Sequence, residues 1–425
     1  MEPKLVFQQD TLRNLHQLHD EYGQGEKNYF VGTHRAVHPS VTVARVRELM
    51  PLMGITRVAN VTGLDRIGIP VVMVCRPNAR SLAVSQGKGI DLEAAIASGL
   101  MEAAELFHAE HIELPLKLGS NSELSHSHRF VDIDRLPRVA GGRFDRNLVT
   151  LWIEGVDLLS DEPRWLPFES VRTNFTLPLP PGSGCFDCSS NGLASGNTAA
   201  EASCHAICEI VERDATALWN RIAPSARAGT GVNLESVKDE TCRGILRKLE
   251  HADFDVAVWE TTTDVGVPSF FCLIEDRRSS ASHSGIGAGT HPAPEIALLR
   301  ALTEAVQVRT TYISGTRDDI LPEEYGERHR AGRRRIAARL LAEHSPVRDF
   351  GAIADRSQNS FAADLAWLLE RLKAVGVREV VSVDLSRSGF GISVVRVVIP
   401  GLEGPDDHDA YVPGERARRL LGMAT

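Results

Sequence analysis

Three segments of this chain carry polar residues at i, i+4 and i+7, and each lies just after a glycine-containing turn. The first follows Gly87-Lys88-Gly89 and holds Ser98, Glu102 and Glu105. The second follows Ser195-Gly196-Asn197 and holds His205, Glu209 and Glu212, with Glu201 four residues before the histidine. The third follows Gly287-Ala288-Gly289 and holds Arg300, Glu304 and Gln307. On a helix turning about 100° per residue, these three positions fall within roughly 60° of one another, so each triple is one polar stripe. Carboxylates grouped this way suit hard divalent cations, which take oxygen ligands. Glycine turns at helix starts offer backbone N–H groups to phosphate oxygens. With Lys88, Arg213 and Arg300 nearby, the chemistry these residues point to is a magnesium–nucleotide site.

The neighbours of the stripes weigh against a solvated face, which is what a lone ExxE usually marks. The first helix reads AAIASGLMEAAELF and the second ASCHAICEIVERDA, and neither has a broad charged side. Glutamates on such helices face inward, where an unpaired charge costs several kcal/mol and requires a cation or a proton. A Walker A loop is absent, since SQGKG does not fit GxxxxGK[ST].

Stepping outward to the elements, helices are expected at Asp91–Ala109, Ala199–Ala217, Pro294–Ser314 and Ala362–Val375. Strands are expected at Arg57–Val61, Gly68–Arg76, within Asn147–Leu159, and at Asp255–Glu260, Ser269–Glu275, Glu379–Leu385 and Ser393–Ile399. Residues 1–50 read as mixed helix and loop, Ile112–Arg146 as irregular, and Leu177–Gly184 as a proline-rich loop. The arginine-rich stretch Arg328–Arg339 reads as a solvated helix face. Without a clean βαβ rhythm, the fold class is mixed α/β, with repeated glycine-turn/helix elements around a nucleotide cavity.

Composition narrows the function classes. The 425 residues are 43% hydrophobic and 24% charged, which excludes a disordered or collagenous chain. A net charge of −9 disfavours nonspecific binding to nucleic acid or anionic membranes. Met1–Asp20 lacks an apolar core for a signal peptide, and no run spans a bilayer, so a cytoplasmic protein is expected. Seven cysteines suit a reducing compartment. Cys185-x-x-Cys188 and Cys204-x-x-x-Cys208 have spacing open to a zinc site, although packing is the commoner fate of Cys204 and Cys208 on a helix flank. A sulfur-relay role for Cys185 or Cys188 is the other open reading.

These same residues resemble the YcaO family. The resemblance runs through Val58–Asp65 (VANVTGLD), Gly68–Arg76 (GIPVVMVCR), Arg80–Gly89 (RSLAVSQGKG), Ser98–Glu105 (SGLMEAAE), Ser190–Asp214, Ala297–Arg309 (ALLRALTEAVQVR) and Val395–Glu403 (VRVVIPGLE). It implies a YcaO domain over 58–403, an N-terminal accessory segment 1–57 and a C-terminal tail 404–425. It further implies ATP and Mg2+ as cofactors, and phosphorylation of a peptide backbone amide oxygen followed by capture with a nucleophile. By motif, Glu102, Glu105, Glu201, Glu209 and Glu212 correspond to magnesium ligands and Arg213 to an arginine that meets phosphates. Ser98, Lys88, Asn197 and His205 correspond to nucleotide-side positions, and Arg300, Glu304, Gln307 and Arg309 to the third family element.

The resemblance also bears on the product. Azoline-forming members usually end in a PxPxP tail, whereas this sequence ends GERARRLLGMAT. With residues 1–57 alone before the first motif, no peptide-clamp or E1-like domain is expected there. The expected branch is therefore the standalone, TfuA-associated one, which forms thioamides in a ribosomally made peptide or protein with a TfuA-like partner delivering sulfide. The alternatives are an azoline-forming cyclodehydratase and a noncatalytic accessory factor for ribosomal-protein modification. A homodimer is the expected assembly, with a precursor peptide as substrate.

Overall fold

The computed structural model describes residues 27–278, 283–406 and 410–423. The expectation for residues 1–26 lies outside the described residues. The chain begins with a hairpin of β1 (Asn28–Phe30) and β2 (Thr33–Arg35), then α1 (Pro39–Leu49). Strands β3 (Arg57–Asn60), β4 (Val71–Cys75) and β5 (Val84–Lys88) lead into α2 (Leu92–Glu110). Next come β6 (Leu116–Gly119), β7 (Thr150–Asp157), β8 (Glu162–Pro167) and β9 (Leu193–Gly196), followed by α3 (Ala199–Trp219). After β10 (Val232–Asn233) and α4 (Glu240–His251), strands β11 (Phe254–Glu260), β12 (Ser269–Asp276) and β13 (Gly285–Thr290) precede α5 (Pro294–Ser314). The remainder holds α6 (Glu327–Glu343), β14 (Arg348–Asp349), α7 (Phe361–Ala374), β15 (Val381–Asp384), β16 (Ser393–Val398) and α8 (Glu415–Leu420).

Three antiparallel sheets organise these elements. Their strand orders are β3-β4-β5, β11-β12-β13 and β6-β7-β15-β16-β9, with β8 also pairing β7. Each striped helix follows the edge strand of one sheet: α2 follows β5, α3 follows β9, and α5 follows β13. Each then anchors its own apolar core. Leu100, Ala103 and Leu106 pack with Trp152 and Ile153, Ile207 and Val211 with Val395 and Leu368, and Leu298 and Leu302 with Phe254 and Phe270.

The glycines act differently from the turn role expected of them. Gly87 lies within β5, Gly196 within β9, and Gly287 and Gly289 within β13. A Cβ on Gly87 would stand 2.0 Å from the Ala95 carbonyl oxygen, and one on Gly289 2.0 Å from that of Ala297. The glycines thus let each helix backbone lie directly on its edge strand, a close approach any side chain would block. The helices start instead at polar caps: Asp91 accepts from Ala94 N–H, Thr198 accepts from Glu201 N–H, and Pro294 opens α5.

The segment expected to be irregular contains β6 and a short helical turn at Asn121–Leu124. The arginine-rich stretch is helix α6, where Arg330 and Arg334 reach Glu327 at its surface. No helix of the described residues is long and apolar enough to cross a membrane.

Candidate active site

Edge strands carry N–H groups without a strand partner, and in this fold glutamates take them. Gln86 N–H on β5 donates to Glu102 at 3.2 Å, on the helix that follows it. Ser195 on β9 donates to Glu105 through its N–H at 2.8 Å and its hydroxyl at 2.6 Å, so the first helix reaches the second unit's strand. Asn197 N–H donates to Glu201 at 2.9 Å. Lys88 on β5 pairs with Glu304 on α5 at 2.5 Å, tying the first unit to the third. Glu209 and Arg213 stand 3.9 Å apart on α3. The three stripes therefore meet at one polar interface between α2, α3 and α5.

Charge is unevenly balanced there. Burial, opposed by the Ser195 hydroxyl and reinforced by Glu102 and Glu209, pushes the Glu105 carboxyl up to about 8. Burial also raises Glu102 and Glu209. Glu212 is raised by burial and then by the charge of Glu304. Glu304 is held low against its own burial by Lys88, Arg213 and Arg300. Buried His205 is driven well below its ordinary value by burial and by Arg35 and Arg300, so it is a neutral ring beside cations.

Several buried polar atoms of the site lack partners, two charged groups of opposite sign among them. One oxygen of the Glu212 carboxyl, Oε2, is buried with no hydrogen bond, and so is Arg300 Nε. Orphaned polar atoms of opposite sign are what an absent metal ion and an absent anion would each satisfy. The all-oxygen donor set of Glu102, Glu105, Glu201, Glu209 and Glu212 suits Mg2+. Among the described residues, no three His, Cys, Asp or Glu side chains are yet drawn together tightly enough to hold a metal.

Other expected residues are placed as follows. Asn197 accepts from Thr42 at 3.0 Å and from Arg45 at 3.3 Å. Ser98 is half-buried one turn before Glu102. Gln307 donates to Gln86 at 3.3 Å, tying α5 to β5. Arg309, grouped with the third element, belongs to a different place. It is buried in ion pairs with Asp65 at 2.6 Å and Asp276 at 3.2 Å, a structural network.

The zinc reading is not realised. Cys204 and Cys208 are buried on the core side of α3, whereas Cys185 and Cys188 lie in the loop before β9, and all seven cysteines are free. Sequence reasoning missed Arg35, whose guanidinium meets His205 Nε2 at 2.5 Å and Glu201 at 3.7 Å. It also missed Thr42, Arg45, Gln86, Ser195 and Arg396. Gln86 and Ser195 had a signal, since each directly precedes a motif glycine; the others come from distant segments with none.

Residues 86–403 match the model of a protein family described as YcaO cyclodehydratase, ATP- and Mg2+-binding. This chain belongs to the YcaO family. It is 36% identical over 376 residues to a protein from the tfuA 3′ region of Rhizobium leguminosarum bv. trifolii, covering 87% of this chain and 88% of that one. It is 35% identical to a protein of Methanothermobacter thermautotrophicus, covering 87% and 95%. Its fold is similar to that of YcaO from Methanopyrus kandleri bound with AMPPCP and Mg2+, with a TM-score of 0.72, 24% identity, and 92% and 99% of the chains covered. A heterocyclase in complex with substrate and cofactor gives a TM-score of 0.74 at 23% identity, covering 94% of this chain and 56% of that longer one. As a YcaO protein the chain binds ATP and Mg2+ and is an ATP-dependent peptide-modifying enzyme.

Proposed function

We propose that this YcaO protein phosphorylates a backbone amide oxygen of a ribosomally made peptide or protein and exchanges that oxygen for sulfur, leaving a thioamide. The observation that carries the sulfur outcome is the relative from the tfuA 3′ region, which matches nearly the whole chain. The same observation supports a TfuA-like partner delivering sulfide.

The residues divide the work by charge. Glu102, Glu105, Glu201, Glu209 and Glu212 would hold Mg2+, which when bound offsets charge on the transferred phosphoryl group. Lys88, Arg213 and Arg300 present cations toward phosphate oxygens, and Arg300 has an unused buried N–H for one. Arg35, Asn197 and His205 close the α3 end of the site, where a neutral imidazole accepts a hydrogen bond without adding positive charge. The apolar faces of α2 and α3 keep water from the activated amide. Phosphorylation makes the amide oxygen a leaving group; a sulfur nucleophile then adds to the carbon, and phosphate departs.

Intact-mass analysis of the peptide after incubation with ATP, Mg2+, sulfide and a TfuA-like partner tests the reading. Thioamide formation adds about 16 Da, whereas azoline formation removes about 18 Da and needs no sulfide. A sulfide-independent loss of water would replace the thioamide reading with the azoline one. Absence of peptide-dependent ADP release with any partner would replace both with a noncatalytic accessory role.

A further inference from the structure

Outside the set that would hold magnesium, the Cys188 thiol and the carbonyl of the next residue each contact a buried arginine. Cys188 is half-buried in the loop before β9, and its thiol donates to the Arg172 carbonyl oxygen at 3.4 Å. Arg172 and Arg396 are each 2% exposed. Arg396 spends Nη2 on the Ser189 carbonyl at 2.8 Å, while its Nε and Nη1 are buried without partners. Arg172 uses its two Nη groups on Asn174 and Ser183 and leaves Nε unpartnered. Three buried guanidinium N–H groups with no acceptor are expensive to leave so, and they mark a place for an anion. Burial raises the Cys188 thiol; Arg172 and Arg396 oppose that rise, and Glu169 and Asp187 add to it. Arg396 pairs with Leu193 on β9, two residues before the Ser195 that holds Glu105, so one strand pair joins this loop to the active site.

We infer that Cys188 is a carrier of sulfane sulfur, holding a persulfide whose terminal anion Arg172 and Arg396 stabilise, and releasing hydrosulfide toward the carboxylate site. The inference rests on the thioamide reading, which requires a sulfur nucleophile at that position. Loading transfers one sulfur atom. The Cys188 thiol gives its proton to water and attacks the terminal sulfur of a polysulfide or protein persulfide; the donor's S–S bond breaks and the donor leaves as a thiolate. Release uses a small-molecule thiol, which attacks Cys188 Sγ, forms a mixed disulfide and expels hydrosulfide. A second equivalent of that thiol reduces the mixed disulfide, restoring Cys188 and becoming a disulfide itself.

The test is a sulfur map of the full chain. Protein is treated with inorganic polysulfide, the excess is removed, and persulfides are alkylated and located by peptide mass. Cys188 should gain one sulfur, about 32 Da, in strong preference to the other cysteines. Arg396→Met should slow loading at Cys188 about tenfold, and Arg396→Lys should restore most of the rate. Sulfur spread over all cysteines, or settled on another one, overturns the inference, and the wild-type map decides this even should a variant fail to fold. So does an Arg396→Met variant, folded by circular dichroism, that loads at the wild-type rate. The map needs neither ATP nor peptide. Thioamide formed from free sulfide with no loading at Cys188 overturns the carrier alone. Loading at Cys188 with no thioamide from any sulfur source overturns the thioamide reading.

Discussion

Helices α2 and α5 each carry the same residue type in two opposite circumstances. On α2, Glu110 is buried at one end and fully partnered. It accepts from Arg76 at 2.5 and 3.3 Å and from the Ser81 N–H and hydroxyl at 3.0 and 2.5 Å. Five residues earlier, Glu105 accepts from Ser195 beside two neighbouring carboxylates, and its carboxyl is pushed up to about 8. On α5, Arg309 spends all three of its donor nitrogens on Asp65, Asp276 and the His283 carbonyl, while Arg300 keeps a buried Nε unused. Closed networks fix the sheets to the helices. Open ones, with charge in excess, mark where the protein expects something that is not protein. The contrast separates structural from functional charges on the same helix better than burial does, since both kinds are inside.

The sharpest way to break this contrast is to change its open half. Glu102→Gln or Glu212→Gln should lower ATP-dependent peptide modification about a thousandfold, as expected when a group matched to developing charge is lost. Thermal stability without metal should stay level or rise, because one repelling carboxylate is gone. Parallel ADP-release assays and thermal melts check both halves, and full activity in either variant would refute the assignment.

Changing the closed half should invert the outcome. Glu110→Gln leaves Arg76, 2% exposed, without its counter-charge, and should cost about 3 kcal/mol of stability. The fraction that remains folded should modify peptide at a near-normal rate. A denaturant midpoint unchanged from wild type would show that the network is not structural.

Glycines offer a smaller effect with the same logic. Gly289→Ala places a methyl 2.0 Å from the Ala297 carbonyl and must push α5 off β13, at about 2 kcal/mol and with loss of activity as Arg300 and Glu304 shift. Gly244→Ala on helix α4 meets nothing within 4 Å and should stabilise by about 0.5–1 kcal/mol. Equal effects from the two substitutions would contradict the close-approach role.

How much of this was legible in the sequence follows from which interactions are local. Helix α5 runs over Pro294–Ser314 as read, because proline opens it and Gly315, at φ 59°, closes it within the same stretch. The i, i+4, i+7 spacing also revealed which side chains share a face. The glycines were misassigned because a turn and an edge strand under a helix look alike until the sheet partners are known. Arg35, Arg45 and Arg396 were invisible as site residues for a related reason. They arrive from a hairpin, a helix and strand β16, whose pairing of Arg396 with Leu193 joins segments about two hundred positions apart. Local periodicity carries no information on such register. Arg300 and Arg309, nine residues apart, lie on opposite sides of α5, but the partners that set their roles come from distant segments that spacing on α5 does not encode.

The gentlest probe of the open half is pH. Glu105 titrates near 8 in the folded chain against an ordinary 4.5, so between those values the folded state holds more protons than the unfolded state. Metal-free stability should therefore fall as pH rises through that window, and the loss is complete once the folded carboxyl has ionised above about 8. Glu105→Gln removes the penalty, so its advantage over wild type should be near zero below about pH 4.5 and grow to about 1–2 kcal/mol above pH 8. The full linkage value is larger, but Glu105 is half-buried and solvent screening trims it. Added Mg2+ binds the ionised form, so its stabilisation of the wild type should increase over the same window and be weaker in the variant. Thermal melts in chelator and in Mg2+ across the range measure both trends. A gap between wild type and variant that does not change with pH would mean that Glu105 is already neutralised by the protein, and would move it from the open network to the closed one.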